Sequence, residues 1–425
     1  MESVTTTELH SQLFDQDLVI VDARPVEAYN GWPLKGEPRG GHIRGARSIP
    51  SAWTGWIDWI EIVRSKGIRQ EHTIVIYAYE PEEARKVAQH FLASDHMDVR
   101  VYDHFVQEWS RNSSLPMDQL ARYKQLVYPE WLKVLLEGGT PPEYDRVKYV
   151  LCHGHYQNQD DYFKGHIPGA ISLDTNTLES PKTWNIRSHE ELKENLERLG
   201  ITADTTVILY GRFSFPEKRD PFPGSSAGHL GSIRAAFIMH YAGVKDVRIL
   251  NGGIRSWEDA GYEITSEPFP NVHRGEFGIT LPGRPELVSD VPEAKAILAS
   301  EWANLVSVRS WPEYIGETSG YNYIEKKGRI PGSVFGNCGT DAYHMENYRN
   351  LDHTTREFHE IAEIWEEVGI VPDKHNSFYC GTGWRGSEAW FNAWLMGWNN
   401  ISVFDGGWFE WSADPLNPIE TGIPA

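Results

Sequence analysis

The stretch SFYCGTGWRGSEAWFNAWLMGW, residues 377–398, holds the side chains best suited to chemistry in this chain. An ionised thiol is a strong nucleophile near neutral pH, and Cys380 stands between an apolar run and a glycine-rich turn. NSFYC reads as a buried strand. In GSEAWFNAWLMG, Ala389, Trp390, Ala393 and Trp394 recur at helical spacing until Gly397 offers a stop. Cys380 is therefore expected at the carboxyl end of a strand with a helix starting a few residues later, where open α/β sheets bind ligands. Gly381 and Gly383 are read as letting the loop curl through backbone angles closed to other residues, so that its amides, that of Thr382 included, converge on one point. Those amides and the positive end of the helix stabilise negative charge on the sulfur. Arg385 adds a guanidinium for an oxyanion or for the sulfur itself, and Trp384 an apolar wall for a substrate.

The elements that must position this loop occur three times. LVIVDARPVEAYNG leading into GGHIRGARSIP near residue 20 is repeated by KYVLCHGHYQNQDDYFKGHIPGAISLD near 150, and by LVSVRSWPEYIG with GRIPGSVFG near 305. Each copy continues with a helical stretch, a central strand (TIVIYA, TTVILYG, NSFYCG), a second helical stretch and a third strand (VRVYDH, VRILNGG, ISVFDGG). Alternation of this kind predicts a parallel sheet with helices on both faces, hence three tandem α/β domains. The expected division is 1–122, 126–265, a Pro/Gly-rich linker over 266–285, and 286–425, with an insertion in FSFPEKRDPFPGSSAGH of the second copy. Aligned on the central strand, Ala78 and Gly211 stand where the third copy has Cys380. The first two domains are accordingly read as catalytically silent, supplying shape and walls to the cleft.

The repeated unit, with its opening strand ending in an arginine, its GHIPGA turn and its cysteine loop, resembles the rhodanese domain. Three units with CGTGWR only in the last, followed by FDGGWFEW, are similar to bacterial three-domain thiosulfate sulfurtransferases. The resemblance implies a sulfur relay. The Cys380 thiolate attacks the outer sulfur of thiosulfate, sulfite leaves, and the persulfide sulfur passes to cyanide, a low-molecular-weight thiol or a protein thiol, with no metal or other cofactor. It also makes Arg309, in LVSVRSWPEY, a second candidate for binding substrate oxygens or fixing the loop. Two-domain relatives often carry another arginine four positions on; here that position is Glu313.

Other candidates are weaker. Cys152 aligns by sequence with Asp22 in a buried strand, and Cys338 follows GSVFGN near the third cleft; neither is read as a second sulfur carrier. His42 and His166 of the GHI turns, replaced by Arg329 in the third copy, are read as stabilising the turn. Tyr321, Tyr323, Lys326 and Lys327 lie in an extra segment, SGYNYIEKKG, read as a solvated excursion rather than a cover.

A cysteine phosphatase or arsenate reductase would need C-x5-R, whereas four residues separate Cys380 from Arg385. A scaffold with a redox-sensing cysteine is the non-enzymatic rival. The formal charge of −20 argues against nucleic acid and anionic membranes as partners, and no run approaches a membrane span. Three scattered cysteines, without C-x-x-C or H-x-x-x-H, make neither a disulfide framework nor a metal site. As written the chain reads as cytoplasmic, or periplasmic if a leader has been removed.

Overall fold

The computed structural model describes residues 2–55, 59–146, 148–213, 228–270 and 275–424. The chain forms two compact units, 1–124 and 125–425. Most of the insertion in the second copy lies outside the described residues.

Three five-stranded sheets share one strand order, and all the pairings within them are parallel. In the first unit the order is Glu2–Ser3, Val99–Tyr102, Thr73–Tyr77, Leu18–Asp22, Arg47–Ser48. The second unit holds two such sheets. One runs Leu126–Val127, Asp246–Leu250, Thr206–Gly211, Tyr149–His155, Ile171–Asp174; the other runs Val288–Ser289, Ile401–Phe404, His375–Tyr379, Ala303–Ser307, Val334–Phe335. Strands covered on both faces need continuous apolar runs, and the central strands supply them: Thr206–Gly211 is buried at every position.

Register corrects one alignment made from sequence. Asp22 pairs with Tyr77, Ser307 with Tyr379, and His153 with Tyr210, so Cys152, opposite Leu209, matches Val21 and not Asp22. Cys152 is wholly buried, and burial pushes its thiol pKa up. The same register leaves Ala78, Gly211 and Cys380 equivalent, each following its central-strand tyrosine.

A local device recurs at each turn. His42 stacks on Tyr29 and His166 on Tyr162, both with ring centroids 3.6 Å apart, and the Arg329 guanidinium lies 5.2 Å from the Tyr314 ring. The three tyrosine hydroxyls donate to the carbonyls of Ala46, Ala170 and Ser333. The residue at the turn is thus a lid on a buried ring, as expected, and its chemistry can change from imidazole to guanidinium because only a flat cation or π face is required.

Within the second unit the two domains join through equivalent helices, Gly228–Ala242 and Trp384–Leu395. Phe237 meets Trp390 at 5.0 Å and His240 meets Trp394 at 4.4 Å. Gly228–Ala242 is buried on all sides, which a helix achieves only between a sheet and another helix. The expected linker packs as well: Phe277 is fully buried and bonds the second domain through Ala203 and Glu197.

The buried Tyr210 hydroxyl accepts from the Ile167 amide at 2.8 Å. Tyr210→Phe leaves that amide without its partner and should lower the stability of the second unit by about 1–3 kcal/mol, read from urea denaturation.

Candidate active site

Cys380 ends the central strand His375–Tyr379, and the helix Trp384–Leu395 begins four residues later. The carbonyls of Cys380 and Gly381 accept from the amides of Trp408 and Phe409 at 2.9 and 2.8 Å. These amides belong to the first turn of the helix Gly407–Ala413. A trans peptide points its N–H opposite its C=O, so the Gly381 and Thr382 amides face away from that helix. Among the described residues, none accepts from the backbone N–H groups of Gly381 through Gly386. These six consecutive amides at a helix start thus have no acceptor among the described residues.

The sulfur itself is buried, at 1% exposure, and donates to the Thr382 carbonyl at 2.9 Å. That contact belongs to a thiol S–H.

The loop glycines serve a purpose other than the expected one. Neither Gly381 nor Gly383 has a positive φ, Gly383 lying at −87°. Both are small because other side chains press against them: a methyl group at Gly381 would overlap the Tyr321 ring, and one at Gly383 would lie 2.5 Å from Arg234 Nη1. The constraint is close approach, not left-handed backbone.

Arg385 is also placed differently from expectation. Its Nη1 and Nη2 bond Glu313 Oε2 and Oε1, each at 2.9 Å, while Nη1 reaches Cys338 Sγ at 3.1 Å and Nη2 the Tyr321 hydroxyl at 2.5 Å. Arg309, fully buried, bonds Glu313 Oε1 and the carbonyls of Gly328 and Ser319, over the Trp408 ring. Both guanidiniums thus brace the loop and the segment above it instead of presenting their forks to an oxyanion. Burial would push the Glu313 carboxyl pKa up, but the two arginines hold it down at about 2.

The segment around Tyr321 is a cover, correcting its reading as a solvated excursion. The Tyr321 ring sits on Gly381, with Tyr323 at 5.1 Å and Tyr343 at 6.3 Å. The Trp184 ring stacks on Tyr323 at 4.5 Å and meets Phe409 at 5.7 Å. Aromatic faces therefore gather at the mouth of the loop. Cys338 lies behind Arg385, and burial pushes its thiol pKa up to about 12.

Sequence reasoning missed the residues that the second domain sends to this loop. Trp384 Nε1 donates to both oxygens of buried Glu179, at 2.9 and 3.1 Å, and its ring meets Tyr156 at 5.3 Å. Arg234 bonds Glu179 Oε2 at 3.1 Å and Asp405 Oδ1 at 2.5 Å. One signal was legible: Arg234 interrupts an otherwise apolar stretch, GSIRAAFIMHYA.

Repeated parallel sheets with a cysteine ending one central strand, under a row of open amides, define a persulfide-type sulfur-transfer scaffold. The rhodanese-like domain family matches residues 5–112, 156–260 and 290–414, and the chain belongs to that family of sulfurtransferases. It is 38% identical over 416 residues to the thiosulfate sulfurtransferase YnjE of Escherichia coli (strain K12), covering 97% of this chain and 91% of that protein. A structure of an EanB variant bearing a cysteine persulfide, in a tetrahedral intermediate state with ergothioneine, superposes with a TM-score of 0.98. It is 57% identical and covers 99% of this chain and 100% of that one. A cysteine-to-serine EanB variant with hercynine matches at TM-score 0.98 and 56% identity, covering 100% and 98%.

Burial lifts the Glu179 pKa to about 7, since Arg234 is shared with Asp405 and one cation faces two carboxylates. Tyr156 is the other titratable group beside it. A folded-state pKa above the ordinary 4.5 means that the fold holds this proton more tightly than the unfolded chain. The resulting stability is present below pH 4.5 and lost as pH rises through 7. Between pH 5 and pH 8 wild type should lose up to about 3 kcal/mol relative to Glu179→Gln, measured by urea denaturation at both values.

Proposed function

We propose that the chain moves a sulfane sulfur through a Cys380 persulfide to the imidazole carbon of hercynine or a close relative, yielding the thioimidazole. Hercynine is a histidine betaine, and ergothioneine differs from it by one sulfur atom. The observation that carries this choice of acceptor is the cluster of aromatic rings gathered over the cysteine loop. Trp184, Tyr323 and Phe409 form a wall of π faces suited to a quaternary ammonium group. The likeness to EanB structures holding hercynine and ergothioneine supports the same acceptor.

In the first half-reaction, the Cys380 thiolate attacks the outer sulfur of a sulfane donor. The donor's S–S bond breaks, and its electron pair leaves with sulfite from thiosulfate, or with the shortened chain from polysulfide. The open amides of Gly381–Gly386 receive the outer, negatively charged persulfide sulfur. In the second, the imidazole carbon bonds to that sulfur and the Cys380 Sγ–S bond breaks. Its electron pair returns to Cys380, and the carbon gives up its proton. The sum is hercynine plus persulfide giving ergothioneine plus thiol.

The covered, aromatic mouth favours this over a small hydrated acceptor such as cyanide. Treatment with polysulfide or thiosulfate should add about 32 Da to the Cys380 peptide, and hercynine should then be converted to ergothioneine, read by mass spectrometry. Cys380→Ser should do neither. Thiocyanate formation with no thiolation of hercynine would return the reading to a thiosulfate:cyanide sulfurtransferase.

A further inference from the structure

The second domain has glycine at the cysteine position, yet it sends a charged side chain into the reactive loop of the third. Arg234 is fully buried on the helix Gly228–Ala242, and each nitrogen of its fork has a separate partner. Nε bonds Glu179 at 3.1 Å and Nη1 approaches Ser387 Oγ at 3.4 Å. Nη2 bonds Asp405 Oδ1 at 2.5 Å and the Trp184 carbonyl at 3.0 Å.

Every one of these partners is tied to the site. Glu179 holds the Trp384 indole; Ser387 Oγ donates to the Gly383 carbonyl at 2.7 Å; Trp184 belongs to the aromatic wall. Asp405 ends the third strand, and its Oδ2 accepts from the Ile186 amide at 2.8 Å. The guanidinium also packs on Gly383 so closely that a methyl group there would lie 2.5 Å from Nη1 and 2.8 Å from Cζ.

Arg234 is not inherited from the repeat. Ser232 and Ser387 hold equivalent places in the two helices, each hydroxyl donating to the carbonyl four residues back, at 2.9 and 2.7 Å. On that alignment Arg234 falls opposite Ala389. A side chain of the second copy that the third lacks therefore packs against the loop of the third.

We propose that Arg234 is a positioning residue for sulfur transfer at Cys380, fixing Gly383, Trp384 and the aromatic wall in one geometry, so that the second domain is a working part of the third domain's active site. The inference rests on the reading that Cys380 carries the transferred sulfur. Lysine can keep the charge but cannot bridge two carboxylates, a serine and a carbonyl with one planar fork.

The test uses the full chain with polysulfide as donor and hercynine as acceptor. Arg234→Lys should lower kcat about ten- to a hundredfold, with Cys380 still taking up sulfur by mass spectrometry and with a smaller change in KM. Gly383→Ala, which pushes the fork away from the other side, should cause a similar loss. Because the two act through one contact, the double variant should lose little more than either single one, whereas independent effects would multiply. A folded Arg234→Lys variant with wild-type kcat, or losses that multiply, would overturn the inference while leaving the function standing. If Arg234→Lys does not fold, Gly383→Ala decides alone: a kcat equal to wild type overturns the inference. A wild-type chain that takes no sulfur on Cys380 overturns both.

Discussion

Two backbone hydrogen bonds organise the reactive loop. By taking the carbonyls of Cys380 and Gly381, the amides of Trp408 and Phe409 turn the N–H groups of Gly381 and Thr382 toward the other side. These two amides open a run of six, Gly381 through Gly386, that have no acceptor among the described residues. Unsatisfied donors of this kind are costly when buried, and the negative persulfide sulfur of the proposed reaction would relieve the cost. The helix Gly407–Ala413 is thus as much a part of the site as the helix that starts at Trp384, although it contributes no side chain to the sulfur.

Around this backbone frame the charges are arranged in two opposite ways. Beneath the loop, one carboxylate, Glu313, faces two arginines and stays ionised far into acid. Beside it, one arginine, Arg234, faces two carboxylates, and burial leaves Glu179 titrating near neutrality. The first cluster keeps its charges over the whole range above a pH of about 2. The second, which joins the two domains of the second unit, is balanced on a single proton.

The three copies show how a repeat is kept and where it is altered. The ring-and-lid device at each turn tolerates histidine or arginine, because it needs only a flat partner over a tyrosine. The position after the central strand varies more sharply, from alanine and glycine, which carry no nucleophile, to Cys380. The second copy, with Gly211 at that position, reaches the third through Arg234, Glu179 and Tyr156.

The tandem α/β units, the equivalence of Ala78 and Gly211 to Cys380, and Cys380 at a strand end were legible from the chain, because periodicity and spacing are local properties repeated three times. The turn histidines were legible for the same reason. The partners of Arg385 and Arg309 were not. Glu313 was seen as a missing arginine, but only the folded chain shows it holding both guanidiniums across 72 and 4 residues. Nor could the purpose of Gly381 and Gly383 be read, since the rings and forks that press on them come from elsewhere in the sequence. Local pattern determines which groups stand at the end of a strand; which faces of those groups remain open depends on packing between distant segments, and that was decided by the tertiary structure.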